Sequence, residues 1–498
     1  MQPCSLLIRG GALITDPRLD NCIIENGAVC VQDDRIIDVG DYAELKWRYL
    51  PEQELGSPEH IVSAGLINAH DHGRAPSALQ LGIPDDQLEA WLVDLLRLPA
   101  LDSRLGTSYA GARQIEAGIT TVAHSFYEGA AGCYETALRQ TAQAYRDTGM
   151  RAMLVLSVLD QSIIAALLQQ VQGDLPRELK QFVQQFPGSR SALVEEYFDV
   201  LSRWRQSGDE RLSVMAGPVS VHWCSDALLQ RLWRTAKEWG LQLQTHLLES
   251  PYQARSARAR YGRSAIEHML DLELLTPSLS CAHCVQVDEN DIRLLAAHNV
   301  SVVHNAGSNL RLHNGIAPLS AMRRAGVNIA LGLDSQSLND NADMLQEMRL
   351  VGALHRDAAG QESPAPELSA RELWQMATIN GATALGIGDE TGSLLPGKKA
   401  DIVLWKPDTG RWPPVPGVDA IERLLYGGEA FRADTVVIGG DTVLRQGRLV
   451  HVDKAALEGE IEHQLRQPAS QERQRFCERV RALKPYIKRY LNTYNMNA

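Results

Sequence analysis

Residues 61–72 read IVSAGLINAHDH, an apolar run that delivers two histidines, His70 and His72, at its end. On a strand, residues two apart share a face, so both imidazoles can reach one ion. The arrangement of an apolar run followed by a chemistry-bearing side chain recurs. LQLQTH (241–246) ends on His246 with Glu249 three residues on, SLSCAH (278–283) ends on His283, and VNIALGLD (327–334) ends on Asp334. A polar residue that closes a buried parallel strand points out of the mouth of a barrel, where such folds keep their chemistry. Four more apolar runs, GITTVAH (118–124), RAMLVLS (151–157), SVMAGPVSV (213–221) and VSVVHN (300–305), make eight in all. Helical patterns such as DALLQRLWRTAKEWG (226–240) and DENDIRLLAAHN (288–299) separate most of them. Strand and helix alternating eight times predict an α/β protein, a (β/α)8 TIM barrel. Residues 161–205 exceed what one crossover needs and predict additional helices.

The two ends have another texture. SLLIRGGALIT (5–15) and GAVCVQDDRIIDVG (27–40) set apolar residues beside Gly and Asp turn signals, as do KKADIVLWKP (398–407) and ADTVVIGGDTVLRQGRLVHVD (433–453). They predict a small composite β-sandwich domain formed by both termini. The expected division is 1–62 and 396–453 for that domain, 63–395 for the barrel and 454–498 for a helical C-terminal tail. In the tail Phe476, Val480, Leu483 and Ile487 recur at helical spacing. They predict an amphipathic helix, interrupted at Pro485, that packs across the barrel or at a subunit contact.

Composition narrows the function. A chain of 498 residues, 44% hydrophobic and 22% charged, fits a soluble globular protein, and a net charge of −12 argues against nucleic acid, whose phosphates need a basic face. No apolar stretch is long enough to span a membrane. Eight thinly spread cysteines make no disulfide scaffold. The start, MQPCSLLIRGGALITD, lacks a basic leader with a long apolar stretch, so the expected location is the cytoplasm.

The four strand ends carry what a divalent metal ion and a hydrolytic reaction require. Water has a pKa of about 15.7, and a bound zinc ion lowers it to about 7. Three imidazoles and a carboxylate hold such an ion and leave room for the water. One carboxylate touching metal and water takes the proton, and a second carboxyl group delivers a proton to the leaving group. Asp334 fits the first role and Glu249 the second. Asp334 also reads as a helix cap. Cys281 and Cys284, which bracket His283, read as packing residues.

These segments together resemble the amidohydrolase superfamily, in particular its cytosine/guanine deaminase and triazine chlorohydrolase branch, from about Leu6 to Asp453. The resemblance rests on AGLINAHDH, THLLES, AHC, VVHNAGSNLRLHNGIAPL (302–319), GLDSQSLNDNADMLQEMR (332–349) and GSLLPGKKADIVLW (392–405). It implies one divalent metal per subunit, usually zinc and sometimes iron, with His70, His72, His246 and Asp334 as ligands. Glu249 would carry protons to a ring nitrogen and the leaving group, and His283 would hold the attacking water or polarise the reacting centre. Dinuclear relatives use a carboxylated lysine after the fourth strand. PVSVHWCSD (218–226) has none, which implies a mononuclear site. The implied reaction is hydrolytic deamination of an aminated purine, pterin, pyrimidine or triazine, with metal-activated hydroxide attacking the C–NH2 carbon and ammonia leaving. Hydrolysis of another C–N, amidine, ring-amide or C–Cl bond at the same site is the alternative, and a non-catalytic scaffold a third reading that the intact ligand set and Glu249 oppose. Ser335 and Gln336 stand where relatives have glycine, Ala306 where proline is common, His313 where a small residue is usual and His124 where Asp is frequent. Ser335, Gln336, Arg74 and Trp91 are candidate substrate contacts: Arg74 for a carboxylate or carbonyl (or for a salt bridge in the barrel mouth), Trp91 for stacking on a ring. The family implies a homodimer or a larger homo-oligomer.

Overall fold

In the computed structural model the described residues are 1–498 without 129–131, 187–190, 207, 336–337, 340, 357–367, 408–416, 428–430 and 497–498. The eight apolar runs form eight parallel strands: β1 (Leu66–Asp71), β2 (Ile119–Phe126), β3 (Arg151–Val158), β4 (Leu212–Pro218), β5 (Leu243–Leu247), β6 (Leu279–His283), β7 (Ser301–His304) and β8 (Ile329–Leu331). β1, β2 and β3 are buried along their whole length, which is why they read as nearly continuous apolar runs and not as alternation. Each strand pairs with the next in sequence. The ring is drawn together where Leu333 N donates to Asn68 Oδ1 (2.9 Å) and Asp334 N to the His70 carbonyl (3.1 Å). The interior is filled by side chains. Ile67, Ala69, Met153, Val155, Met215 and Val303 meet Ile379 and Ala382 of the helix Ile379–Ala384 in one buried cluster.

One run divides differently from its sequence reading. IVSA ends the long strand Tyr49–Ala64 of another sheet, and the barrel begins only at Leu66. The switch falls at Gly65, whose N–H donates to the Asp401 carbonyl and where a Cβ would lie 2.0 Å from Thr120 Oγ1. The second sheet is mixed and nine-stranded, built from residues 2–64 and 402–449, so the two ends of the chain do meet. Its central pairings are Gln2–Ile14 parallel to Tyr49–Ala64, and Tyr49–Ala64 antiparallel to Ile402–Pro407. A buried bidentate ion pair joins this sheet to the barrel: Arg151 at the start of β3 holds Asp401 through Nε (2.8 Å) and Nη2 (3.0 Å).

Between β3 and β4 the additional helices are Ile163–Val171, Arg177–Val183 and Ser191–Trp204. The C-terminal helix Gln471–Met496 lies against the first two of them and against the helix Leu88–Asp94. It runs on through Pro485, which corrects the expected interruption. Val480, Leu483, Ile487 and Leu491, on both sides of the proline, are buried against Ala90, Val93, Leu167 and Leu168, and this packing outweighs one lost backbone hydrogen bond. Lys484 reaches both Asp86 and Asp94 at the ends of the Leu88–Asp94 segment. Among the described residues no helix is long and apolar enough to cross a membrane.

Candidate active site

All the histidines and carboxylates singled out from the sequence, His124 and His313 aside, meet at the C-terminal ends of the barrel strands. His70 lies on β1 and His72 just after it, His246 on β5, Glu249 two residues past β5, His283 at the end of β6 and Asp334 shortly after β8. The chain turns sharply as it leaves three of these strands. Leu248, His283, Asp334 and Ser335 have φ of 46°, 74°, 55° and 81°, a left-handed backbone that non-glycine residues adopt at a cost of about 1–3 kcal/mol each.

The side chains converge tightly. One ligand atom from each of His70, His246, His283 and Asp334 lies within 4.8 Å of the others. His72 joins the same centre, its Nε2 3.3 Å from His246 Nε2 and 3.3 Å from Asp334 Oδ1. His70 Nε2 lies 3.4 Å from the same oxygen. The outer nitrogens are committed elsewhere. His246 Nδ1 donates to the Val219 carbonyl (2.5 Å) and His72 Nδ1 to the Ser125 carbonyl (3.0 Å). His70 Nδ1 faces Gln244 Oε1 (2.8 Å), whose amide nitrogen is used on the Ala69 carbonyl and Ser280 Oγ. Carbonyl oxygens only accept, so these rings carry the proton on Nδ1 and turn the Nε2 lone pair inward. His70 Nε2 and His283 Nε2 are buried with no hydrogen-bond partner among the described residues. Inward lone pairs, two of them orphaned, around an anionic oxygen are what a divalent cation of borderline softness fits, and zinc or iron suits the donor set.

Burial, followed by repulsion from the neighbouring imidazoles, holds His246 well below the usual histidine range, and burial brings His283 down to about 4. Burial opposes charge on Asp334, but the imidazoles of His70 and His72 close beside it outweigh this and hold its carboxyl well below the usual carboxylate range. Glu249 behaves in the opposite way: burial first, then the negative charges of Asp334 and Glu89, lift it well above the ordinary carboxyl range. Two carboxyl groups in one pocket are thus pushed in opposite directions, Asp334 toward its anion and Glu249 toward its protonated form. Glu249 Oε2 is 3.8 Å from His283 Nε2, and Asn314 Nδ2 donates to Glu249 Oε1 (3.1 Å).

A cavity of about 290 Å3 opens on His72, His246, Glu249 and Asp334. Arg74 and Trp91 both line it, and among the described residues Arg74 has no ion pair, so the salt bridge considered for it is not formed there. Ser335 is buried beside Asp334, while Gln336 lies outside the described residues. His124 stays apart, bonded to the Tyr145 hydroxyl (2.9 Å), and His313 is exposed. Cys281 and Cys284 are buried free thiols, as expected of packing residues. Two supports escaped the sequence reading: Ser308 Oγ donates to Asp334 Oδ2 (2.6 Å), and Ser250 links to the buried Glu89. Asn309, which with Asn305 reads from the sequence as holding the loop and not the ligand, faces His283 Nδ1 through Oδ1 (2.9 Å). Gln244 carried a signal, being a polar residue inside an apolar strand and two before His246.

The amidohydrolase family model matches residues 61–443. A 5-methylthioadenosine/S-adenosylhomocysteine deaminase of Desulforudis audaxviator is 30% identical over 434 residues, 86% of this chain and 91% of that protein. Among solved structures, an adenosine deaminase from Xanthomonas campestris with bound zinc has a TM-score of 0.77 at 27% identity, covering 93% of this chain and 98% of that one. An atrazine chlorohydrolase from Arthrobacter aurescens, complexed with zinc, shares the fold with a TM-score of 0.76 at 23% identity, covering 92% of this chain and 100% of that one.

Proposed function

The chain belongs to the amidohydrolase family, and from that premise we propose that it is a metal-dependent hydrolytic deaminase of an aminated heterocycle of adenine type. The observation that carries the reading is the pairing of an inward-facing imidazole cluster with a neighbouring buried carboxyl group, Glu249, whose surroundings favour its protonated form. His70, His72, His246 and Asp334 would hold the ion. When bound, it supplies a water that can be deprotonated at neutral pH. Glu249, whose Oε2 lies 3.8 Å from His283 Nε2, would give its proton to the ring nitrogen, take back by way of Asp334 the proton released by the attacking water, and deliver it to the departing amino group, which leaves as ammonia. His283, between Glu249 and Asp334, orients the attacking water or polarises the carbon under attack. Asp334, anionic and steadied by Ser308, accepts the proton released on attack. Arg74, unpaired beside His72, would receive an acceptor atom of the substrate, and Trp91 would face its ring.

Zinc as the ion, a cytoplasmic location and a homodimer or larger homo-oligomer belong to the same reading. The zinc-bound relatives and the imidazole-rich donor set support the first of these. The test is ammonia release by zinc-loaded protein from adenine-, guanine-, pterin-, pyrimidine- and triazine-type amines, with Glu249→Gln as the control. Release from adenine-type rings that the control loses is the expected result. Silence across the panel, or an active control, refutes the assignment.

A further inference from the structure

The cavity beside the imidazoles is unevenly built. At about 290 Å3 it is close to the lower bound, about 300 Å3, of pockets that enclose a small organic ligand. One end holds the catalytic groups. The other is walled by Leu92, Leu95 and Leu96, from the helix Leu88–Asp94 and the turn that follows it, and by Ile163 and Ile164, which open the first additional helix, with Trp223 beside them. These six side chains are only half-buried, although their elements are firmly packed. Ala90, Val93, Leu167 and Leu168, on the same two helices, are buried against the C-terminal helix. The six that line the cavity thus keep part of their apolar surface uncovered although their elements are anchored from behind.

The polar inventory of this chamber is equally one-sided. Among the described residues its carboxyl groups are Glu249 and Asp334, both engaged at the catalytic end; Arg74, Ser125 and Tyr127 come from the ends of β1 and β2, Trp91 and Trp223 offer one indole N–H each, and Ser162 Oγ is occupied in capping its own helix (3.3 Å to Ala165 N). Among the described residues no spare carboxylate faces it to take a pair of sugar hydroxyls, and a hydroxylated group pressed against leucine and isoleucine loses its water without replacement. An alkyl or aryl group gains from the same contact.

We propose that the substrate is an aminated ring bearing an apolar alkyl or aryl substituent in place of a hydroxylated sugar, seated between Leu92–Leu96 and Ile163–Ile164. The inference rests on the deaminase reading for the ring end and on the chamber wall for the substituent. The experiment is calorimetric titration of zinc-loaded Glu249→Gln protein, in which turnover is blocked, with adenosine, 9-methyladenine, 9-propyladenine and 9-benzyladenine. Affinity is expected to rise about fourfold per added methylene, so that 9-propyladenine binds at least tenfold tighter than 9-methyladenine and tighter than adenosine. Leu95→Asn and Ile163→Asn, each checked for an unchanged circular dichroism spectrum, are expected to flatten the series. Adenosine binding as tightly as the 9-propyl compound, a flat series, a rise that neither variant diminishes, or no binding by any member would overturn the proposal. Ammonia release from the same compounds by protein with Glu249 intact separates the two readings. A rising series without ammonia retires the deaminase and keeps the chamber, and ammonia with a flat series does the reverse.

Discussion

Glu89→Gln is expected to stabilise the protein at alkaline pH and to leave it unchanged in acid. Glu89 is 4% exposed, accepts a hydrogen bond from Ser250 Oγ, and among the described residues has no cationic partner. Burial lifts its carboxyl group from 4.5 to about 7, and the Ser250 bond only partly offsets this. At about 1.36 kcal/mol per unit, the shift is worth about 3 kcal/mol. A carboxyl group whose pKa is raised on folding keeps its proton in the native state while the unfolded chain has shed its own. Stability is therefore intact below pH 4.5, falls as pH climbs to about 7, and levels off above it, where both states are ionised. Glutamine cannot ionise and escapes the loss. With an unfolding entropy of about 2.1 cal/mol/K per residue over 498 residues, the stabilisation corresponds to a Tm increase of about 3 °C at pH 8 and none at pH 4. Calorimetric melts of both proteins across pH 4–8 measure it. A Tm difference that does not vary with pH, or a variant that melts lower at pH 8, would refute the reasoning.

Glu249→Gln should retain its full metal content by elemental analysis while kcat for ammonia release falls by about 10²–10⁴. His246→Ala should lose ion and activity together, which dialysis against zinc followed by elemental analysis will report. Asp401→Ala leaves the Arg151 guanidinium and the Gly439 N–H without their acceptor, a loss of about 3–5 kcal/mol for a broken buried pair, seen as a lower Tm. Gly73→Ala puts a Cβ 2.3 Å from the His124 ring at a φ of 59°. The strain is passed to the adjacent His72, so a chelator competition should show at least tenfold weaker metal retention.

Much of the fold was legible because parallel strands buried on both faces leave continuous apolar runs, and because a strand end is where such a run meets its first histidine or aspartate. The boundary inside IVSAGLI was not legible, since the run stays apolar while the chain changes sheets, and only the approach of Thr120 to Gly65 marks the point. Pro485 misled because local propensity was overridden by a helix face packed on both sides of it. At the site, the inward residues were visible, but their supports were not. Val219 and Ser125 act through backbone carbonyls that any residue would offer. Glu89 sits in LEAWLVD, where a charged residue reads as a solvated helix face, and its burial depends on the distant segment carrying Ser250.

The C-terminal helix is synthesised last, and it covers the outer face of the helices that wall the cavity. Asp86 takes both its cations, Lys484 and Lys488, from that helix, whereas Asp94 is already paired with Arg97 three residues on and gains Lys484 as a second partner. At about 5–20 residues per second, Asp86 therefore waits on the order of a minute on the ribosome for a counter-charge. A chain that stops short of residue 484 contains His70, His72, His246, Glu249, His283 and Asp334 but lacks Ile487 and Leu491, part of the apolar face packed against Ala90, Val93, Leu167 and Leu168. Translation to the tail thus completes the packing behind the wall helices after every residue of the site itself has been made.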